Sequence, residues 1–207
     1  MAQKDDLDIE KYPKKFQVYL KKEIEILRKF VGKKDKVLDI GCGTGRAIPN
    51  ISQLVSNYVG IDIDEEYLLK AKKISKAFDN VKIIKLNVEN LSKMFKENEF
   101  DKSFCLFNTM SCFKDYNKAL KEIYKVTKSK FYFSVCAKGS KYLRQEYYDS
   151  IGVKVKFDKN ETSYSSAWGE VKAFSKEEIK EILDKIGFKI EKIVLVEGYS
   201  YCIIASK

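Results

Sequence analysis

The 207-residue chain contains no histidine. Histidine is the side chain whose ordinary pKa lies closest to neutrality. Its absence removes Ser-His-Asp and Cys-His nucleophile systems, histidine-ligated zinc and any imidazole base. Arginine is nearly as scarce: of 40 basic residues only Arg28, Arg46 and Arg144 are arginines, and the rest are lysines. The planar guanidinium reads phosphates and guanines bidentately, whereas lysine is a point charge on a flexible stem. The lysines alternate with glutamates, as in KEEIKE at 176–181, so the net charge of +10 first describes a solvated surface. A phosphate-tracking face is the alternative.

Cysteine is present but unpatterned. Residues 42, 105, 112, 136 and 202 are odd in number and none are spaced C-x-x-C, so neither a disulfide framework nor a zinc knuckle is signalled. Mostly buried thiols in a reducing compartment are expected, and no metal is expected. The opening MAQKDDLD has no apolar core of a leader peptide. No run approaches the roughly 20 apolar residues of a membrane helix. These features predict a soluble cytoplasmic protein with no membrane partner.

What the chain does have is alternation of apolar strands and amphipathic helices. Phe16, Leu20, Ile24, Leu27 and Val31 share one helical face over 14–31. Strands are expected at 36–40, 58–62, 81–86, 101–107 and 131–135, with helices at 47–55, from an Asp64 cap through Ile74, and at 117–126 between them. Such alternation builds a mostly parallel sheet covered on both faces. From 137 to 174 the character changes. Aromatic residues are scattered without a sustained helical period, and alternation at 153–157 and 170–174 suggests a hairpin. SKEE at 175–178 then opens a helix as a capping box, and Gly187 ends it. Two final strands, 188–196 and 199–205, flank Gly198 and are expected to be antiparallel. The length fits one domain. It comprises an N-terminal helical segment at 1–34, the sheet, and an insertion at 137–174 read as a substrate lid.

The chemistry lies after the first strand. Gly41, Gly43 and Gly45 form a Gly-x-Gly-x-Gly turn running into a helix, with Asp39 just before and Asp62 ending the second strand. Glycines let the backbone approach a ligand, a helix start favours negative charge, and a carboxylate at that strand end accepts both ribose hydroxyls. A dinucleotide fingerprint needs a small residue at 46, where this chain has Arg46, so NAD and FAD are disfavoured.

VLDIGCGTG at 37–45 resembles the first motif of the class I S-adenosylmethionine-dependent methyltransferases. Residues 60–62, GID, resemble the second motif. NVENL at 87–91, FD at 100–101 and IGF at 186–188 follow in the family's order. The resemblance covers 35–135 closely and 174–206 in layout. It implies an α/β fold: a seven-stranded, mostly parallel, doubly wound sheet with the last strand antiparallel and a small insertion after the fifth strand. It also implies S-adenosylmethionine as cofactor and S-adenosylhomocysteine as product.

By the same resemblance, Asp39, Gly41, Cys42, Gly43 and Gly45 hold the methionine part, with Asp39 near its ammonium group. Asp62 holds the ribose, and Ile63, Asn87 and Val88 meet the adenine. Phe107 and Asn108 line the methionine end. The third-motif position, commonly aspartate, is Asn87 here, whose amide oxygen still accepts a hydrogen bond. No Asn-Pro-Pro-Tyr follows the fourth strand, which argues against the branches that methylate exocyclic amines or glutamine side chains.

Asn108, Arg144 and Trp168 are the substrate-side candidates. Without histidine, the candidates for a base are Asp115, Tyr147, Tyr148 and Glu170; Asn108 is a further catalytic candidate, and no motif marks any of them. Tyr147 and Tyr148 are adjacent, so only one is expected to face inward. Tyr12, Phe16 and Tyr19 are expected to pack rather than line the site. Direct in-line transfer to a small molecule in an aromatic pocket is the first expectation. An RNA methyltransferase is the alternative that the charge supports, and a non-catalytic binder of the cofactor is a further one. The oligomeric state is open.

Overall fold

A computed structural model describes residues 9–207. The expectation about the first eight residues lies outside the described ones. Helix α1 (Lys14–Phe30) precedes strand β1 (Lys36–Ile40), the short helix α2 (Ile48–Ile51), β2 (Asn57–Asp62), α3 (Glu65–Ser75), β3 (Val81–Lys85) and β4 (Phe100–Cys105). Next come α4 (Tyr116–Val126) and the long β5 (Thr127–Ala137).

The sheet is doubly wound. β1 pairs in parallel with β2 on one side and β4 on the other, β3 extends beyond β2, and β5 lies beyond β4. The closing strands β10 (Lys189–Val196) and β11 (Ser200–Ser206) complete seven strands in the order β10-β11-β5-β4-β1-β2-β3. β11 is antiparallel to both its neighbours, as expected from the tight turn at Gly198. A two-residue strand, β9 (Ala173–Phe174), adds a parallel pairing to β5.

Alternation along the strands feeds two cores. Leu38, Phe131 and Phe133 face α4 and the late helix α6 (Lys176–Ile186), packing on Leu120, Ile123, Ile179 and Leu183. Val37, Phe104 and Tyr132 face the other way, onto Phe16, Leu20 and Leu27 of α1 and Ile48 of α2. Local chemistry sets the helix ends. Asp64 accepts from the Glu66 and Tyr67 amides at the start of α3, and Ser175 and Glu178 form the expected capping box on α6.

The insertion differs from expectation in two ways. A helix, α5 (Lys141–Ser150), occupies its first part. Tyr147 and Tyr148 are both buried on it, because separate neighbours cover adjacent faces of the helix. Its apolar residues therefore show no single stripe. The expected hairpin is a three-stranded antiparallel meander. β6 (Val155–Phe157) and β8 (Gly169–Val171) do not pair directly; β7 (Ser163–Ser165) lies between them. Among the described residues no helix is long and apolar enough to cross a membrane.

Candidate functional site

Strand order reverses between β1 and β4, and a crevice opens there outside the carboxyl ends of the strands. A cleft of about 600 Å³ lies there, lined by the loops after β1, β2, β3 and β4, the start of α1, and the insertion.

The glycine turn builds one wall. Gly41 and Cys42 amides donate to Ile61 O at 2.8 and 2.9 Å, so β2 holds the turn. Gly43 has φ +52°, a left-handed backbone, and a Cβ there would meet nothing within 4 Å. That empty space faces the cleft, so a ligand can reach the bare backbone. Gly45 is constrained differently. At φ +90° a Cβ would come within 2.7 Å of Ile48 and 3.2 Å of the Ala71 backbone.

Two carboxylates brace this turn. Asp62 Oδ2 accepts from the Gly43 amide at 2.8 Å, while Oδ1 accepts from the Ile63 and Asp64 amides at 2.7 and 3.0 Å. Asp39 is buried and accepts a hydrogen bond from the Tyr58 hydroxyl. Burial pushes the Asp39 carboxyl up to about 7, against the opposing pull of Tyr58 and of the Arg46 charge.

The opposite wall depends on Glu23. This side chain of α1 is fully buried. One of its oxygens accepts from the Phe107 amide at 2.7 Å, Ser134 Oγ at 2.6 Å and Tyr19 Oη at 2.9 Å. Arg46 donates to the other. Phe107 and Asn108 are consecutive left-handed residues, at φ +56° and +58°. The Phe107 amide donates to Glu23 and the Asn108 amide to Ser134 Oγ at 3.0 Å, so Glu23 and its serine hold this turn. Sequence reasoning missed Glu23. The signal was a carboxylate on the stripe that also carries Phe16, Leu20 and Leu27.

The cleft brings together most of the expected residues. Asp39, Gly41, Cys42, Gly43, Asp62, Ile63, Asn87, Val88 and Phe107 line it, as do Asn108, Arg144, Tyr147, Tyr148 and Trp168. Ile63 is 65% exposed, an apolar side chain open to a flat ligand. The Asn87 oxygen already accepts from the Glu89 amide at 2.9 Å, which leaves one lone pair for a ligand.

Three expected residues do not line the cleft. Gly45 packs against α2 and α3. Asp115 caps α4, accepting from the Lys118 amide at 2.9 Å. Glu170 is exposed on β8, with the Lys172 ammonium 3.7 Å away. Tyr12 and Phe16 do line the cleft, contrary to the expectation that they only pack, and Tyr19 packs. Tyr147 stacks on Phe16 at 4.2 Å and lies 6.1 Å from Trp168. Burial raises the Tyr147 and Tyr148 phenols above their ordinary value, so both stay protonated near neutrality.

A family described as a methyltransferase domain matches residues 32–187. Among curated proteins, a tRNA (guanine-N(7)-)-methyltransferase of Clostridium botulinum is 33% identical over 93 residues, covering 39% of this chain and 42% of that protein. The chain spans about two fifths of the length of the curated relatives it matches, 38% and 42% for two of them. Among solved structures, a SAM dependent methyltransferase from Aquifex aeolicus superposes with TM-score 0.64 at 21% identity, covering 98% of this chain and 94% of that one. A 1,6-didemethyltoxoflavin-N1-methyltransferase from Burkholderia thailandensis, with its bound substrate and S-adenosylhomocysteine, gives 0.69 at 16%, covering 91% and 78%. At these identities the likeness to the solved structures is one of fold.

Glu23→Gln keeps the side-chain shape but leaves the Arg46 guanidinium without its counter-charge. Breaking a buried pair in this way costs about 3–5 kcal/mol. Urea unfolding of Glu23→Gln is expected to read a loss of that order, partly restored in Glu23→Gln/Arg46→Met. A loss below about 0.5 kcal/mol would mean the pair behaves like a surface contact.

Proposed function

The chain belongs to the methyltransferase domain family, and from that premise we propose that it moves the methyl group of S-adenosylmethionine onto a small-molecule acceptor. The residues of the cleft fit that cofactor. The open space at Gly43 admits the methionine part, Asp62 stands where a ribose is held, and Ile63, Asn87 and Val88 offer an adenine wall. Asp39 supplies the negative charge for the ammonium group. When bound, the cofactor supplies a sulfonium methyl already activated toward nucleophiles.

The protein's part is alignment and exclusion of water, and holding reactants in place is worth roughly 7–11 kcal/mol. Phe107 and Asn108, fixed through Glu23 and Ser134, form the floor between cofactor and acceptor. The 137–174 insertion is proposed as the lid. None of the cleft phenols needs to act as a base, since an acceptor that arrives deprotonated requires none.

The observation that carries the small-molecule reading is the aromatic enclosure. Tyr12, Phe16, Phe107, Tyr147, Tyr148 and Trp168 wall one cleft, the composition of a small-ligand pocket rather than of a strand-tracking groove. The arginines support the same reading. Arg46 is committed to Glu23, Arg144 is buried, and Arg28 donates to Asn50 O at 3.3 Å. An RNA acceptor is the second reading, supported by the +10 charge and the tRNA-modifying relatives. Five unpaired cysteines, four of them buried, fit a reducing cytoplasm, where we place the protein.

Methyl-labelled S-adenosylmethionine incubated with the protein and a source-cell extract is expected to put label in the small-molecule fraction. Label in a polymer that disappears on nuclease treatment would replace this reading with the RNA one. Asp39 gives a pH signature. Its folded value of about 7 lies above the ordinary 3.8, so the ligand-free fold binds that proton more tightly than the unfolded chain. That contribution to stability is full at low pH and is lost as pH rises through 7. Holding an ammonium group needs the ionised form. S-adenosylhomocysteine should therefore bind more tightly, with proton release, between about pH 6 and about pH 8. Asp39→Asn should flatten the dependence; calorimetry in buffers of different ionisation heat reads both effects.

A further inference from the structure

Five buried side-chain polar atoms lack a hydrogen-bond partner among the described residues: Ser52 Oγ, Asn108 Oδ1, Arg144 Nε, Tyr199 Oη and Ser200 Oγ. All but the first belong to residues that line the cleft. Folded proteins leave few such atoms, because each gives up its hydration without a replacement partner. Their concentration on residues of one cleft marks a place where a ligand completes the hydrogen bonding.

Arg144 sets the character of that ligand. It is only 4% exposed. Its Nη1 donates to Glu161 O at 2.7 Å, and Nη2 donates to Ser163 Oγ at 2.6 Å and Val171 O at 3.2 Å. Its guanidinium lies 5.1 Å from the Phe157 ring centre. These contacts hold it in position but bring no negative charge. Arg46, by contrast, has Glu23, and no ion pair among the described residues includes Arg144. A buried cation without a counter-ion is expensive, and a bound anion would relieve the cost.

The charges around the cleft are segregated in the same sense. Asp39, Asp62, Asp64 and Glu89 come from β1 and the β2 and β3 loops, the side of the cofactor, where the one cation of the lining, Arg46, is neutralised by Glu23. Lys114 and Arg144 come from the β4 loop and α5, the side left for the acceptor. Tyr147, Tyr148 and Trp168 lie next to Arg144 as flat walls, with Tyr148 Oη and Arg144 sharing Ser163 Oγ.

Building on the small-molecule reading above, we infer that the acceptor is a planar aromatic molecule carrying an anionic oxygen group, with the anion at Arg144 Nε and the ring against Tyr147, Tyr148 and Trp168. Tyr199 and Ser200 hydroxyls are the further donors, and Asn108 takes a donor on the ring. The anion contributes binding and orientation; the methyl goes to another atom of the ring or its substituents.

The test uses the full-length protein saturated with S-adenosylhomocysteine and two probes of nearly the same shape, anionic 2-naphthoate and neutral 2-naphthamide, titrated by calorimetry. The acid is expected to bind more tightly than the amide by on the order of tenfold or more, the scale of one charge-assisted hydrogen bond. Arg144→Gln should erase the preference and Arg144→Lys retain part of it, with the affinity for S-adenosylhomocysteine unchanged in both. Equal binding of acid and amide by the unaltered protein, or binding of neither at millimolar concentration, overturns the inference without any variant. A loss of S-adenosylhomocysteine binding in Arg144→Gln also overturns it, by giving the guanidinium to the cofactor. Failure of the unaltered protein to bind S-adenosylhomocysteine, seen before any probe is added, is instead a failure of the methyltransferase reading.

Discussion

The buried Glu23 carboxylate is the contact on which both walls of the cleft depend. It holds Arg46 of the glycine turn, the Phe107 amide after β4, and Ser134 in β5, while sitting on a helix outside the sheet. A buried ion pair adds little net stability when compared with apolar packing, but losing one partner is costly. Its value here is in position. It ties the N-terminal helix to the glycine turn after β1, to the left-handed pair after β4 and to β5. Arg46 also lies 5.6 Å from the Phe107 ring centre, so the two walls touch directly.

From this anchor the cleft divides by charge. On the β1–β3 side lie the acids proposed to meet a cationic cofactor, and Asp39 is held at the edge of ionisation by burial. On the β4–β5 side lie the aromatic rings and Arg144, which has no counter-ion among the described residues and is proposed to meet the acceptor. Glu23 keeps the Arg46 charge from blurring that division. The insertion lines the second side, and its helix brings Tyr147 against Phe16 of α1. The proposed lid and the N-terminal helix thus meet at that side of the cleft.

The sheet and the cofactor end were legible because their signals are local. Apolar alternation, the glycine turn, Asp62 at a strand end and the capping box at Ser175 each occupy a few consecutive residues. Glu23 was not legible, since its partners Phe107 and Ser134 lie 84 and 111 residues away. The insertion misled for a related reason. α5 is covered on adjacent faces and its meander strands are three residues long, so neither shows a clean period. Asp115 misled because a helix cap and a candidate base look alike in sequence, and only the Lys118 amide tells them apart.

The central claim is that the turn at Gly43 and the carboxylate of Asp62 together form the cofactor site. The most direct measurement is a calorimetric titration of S-adenosylhomocysteine into the unaltered protein and into Asp62→Ala, with thermal unfolding of both recorded in parallel. The account predicts clear binding by the first, at least about tenfold weaker binding by the second, and a cooperative unfolding transition in each. Equal affinities with both proteins folded would contradict it, because the ligand would then be held somewhere other than at the end of β2.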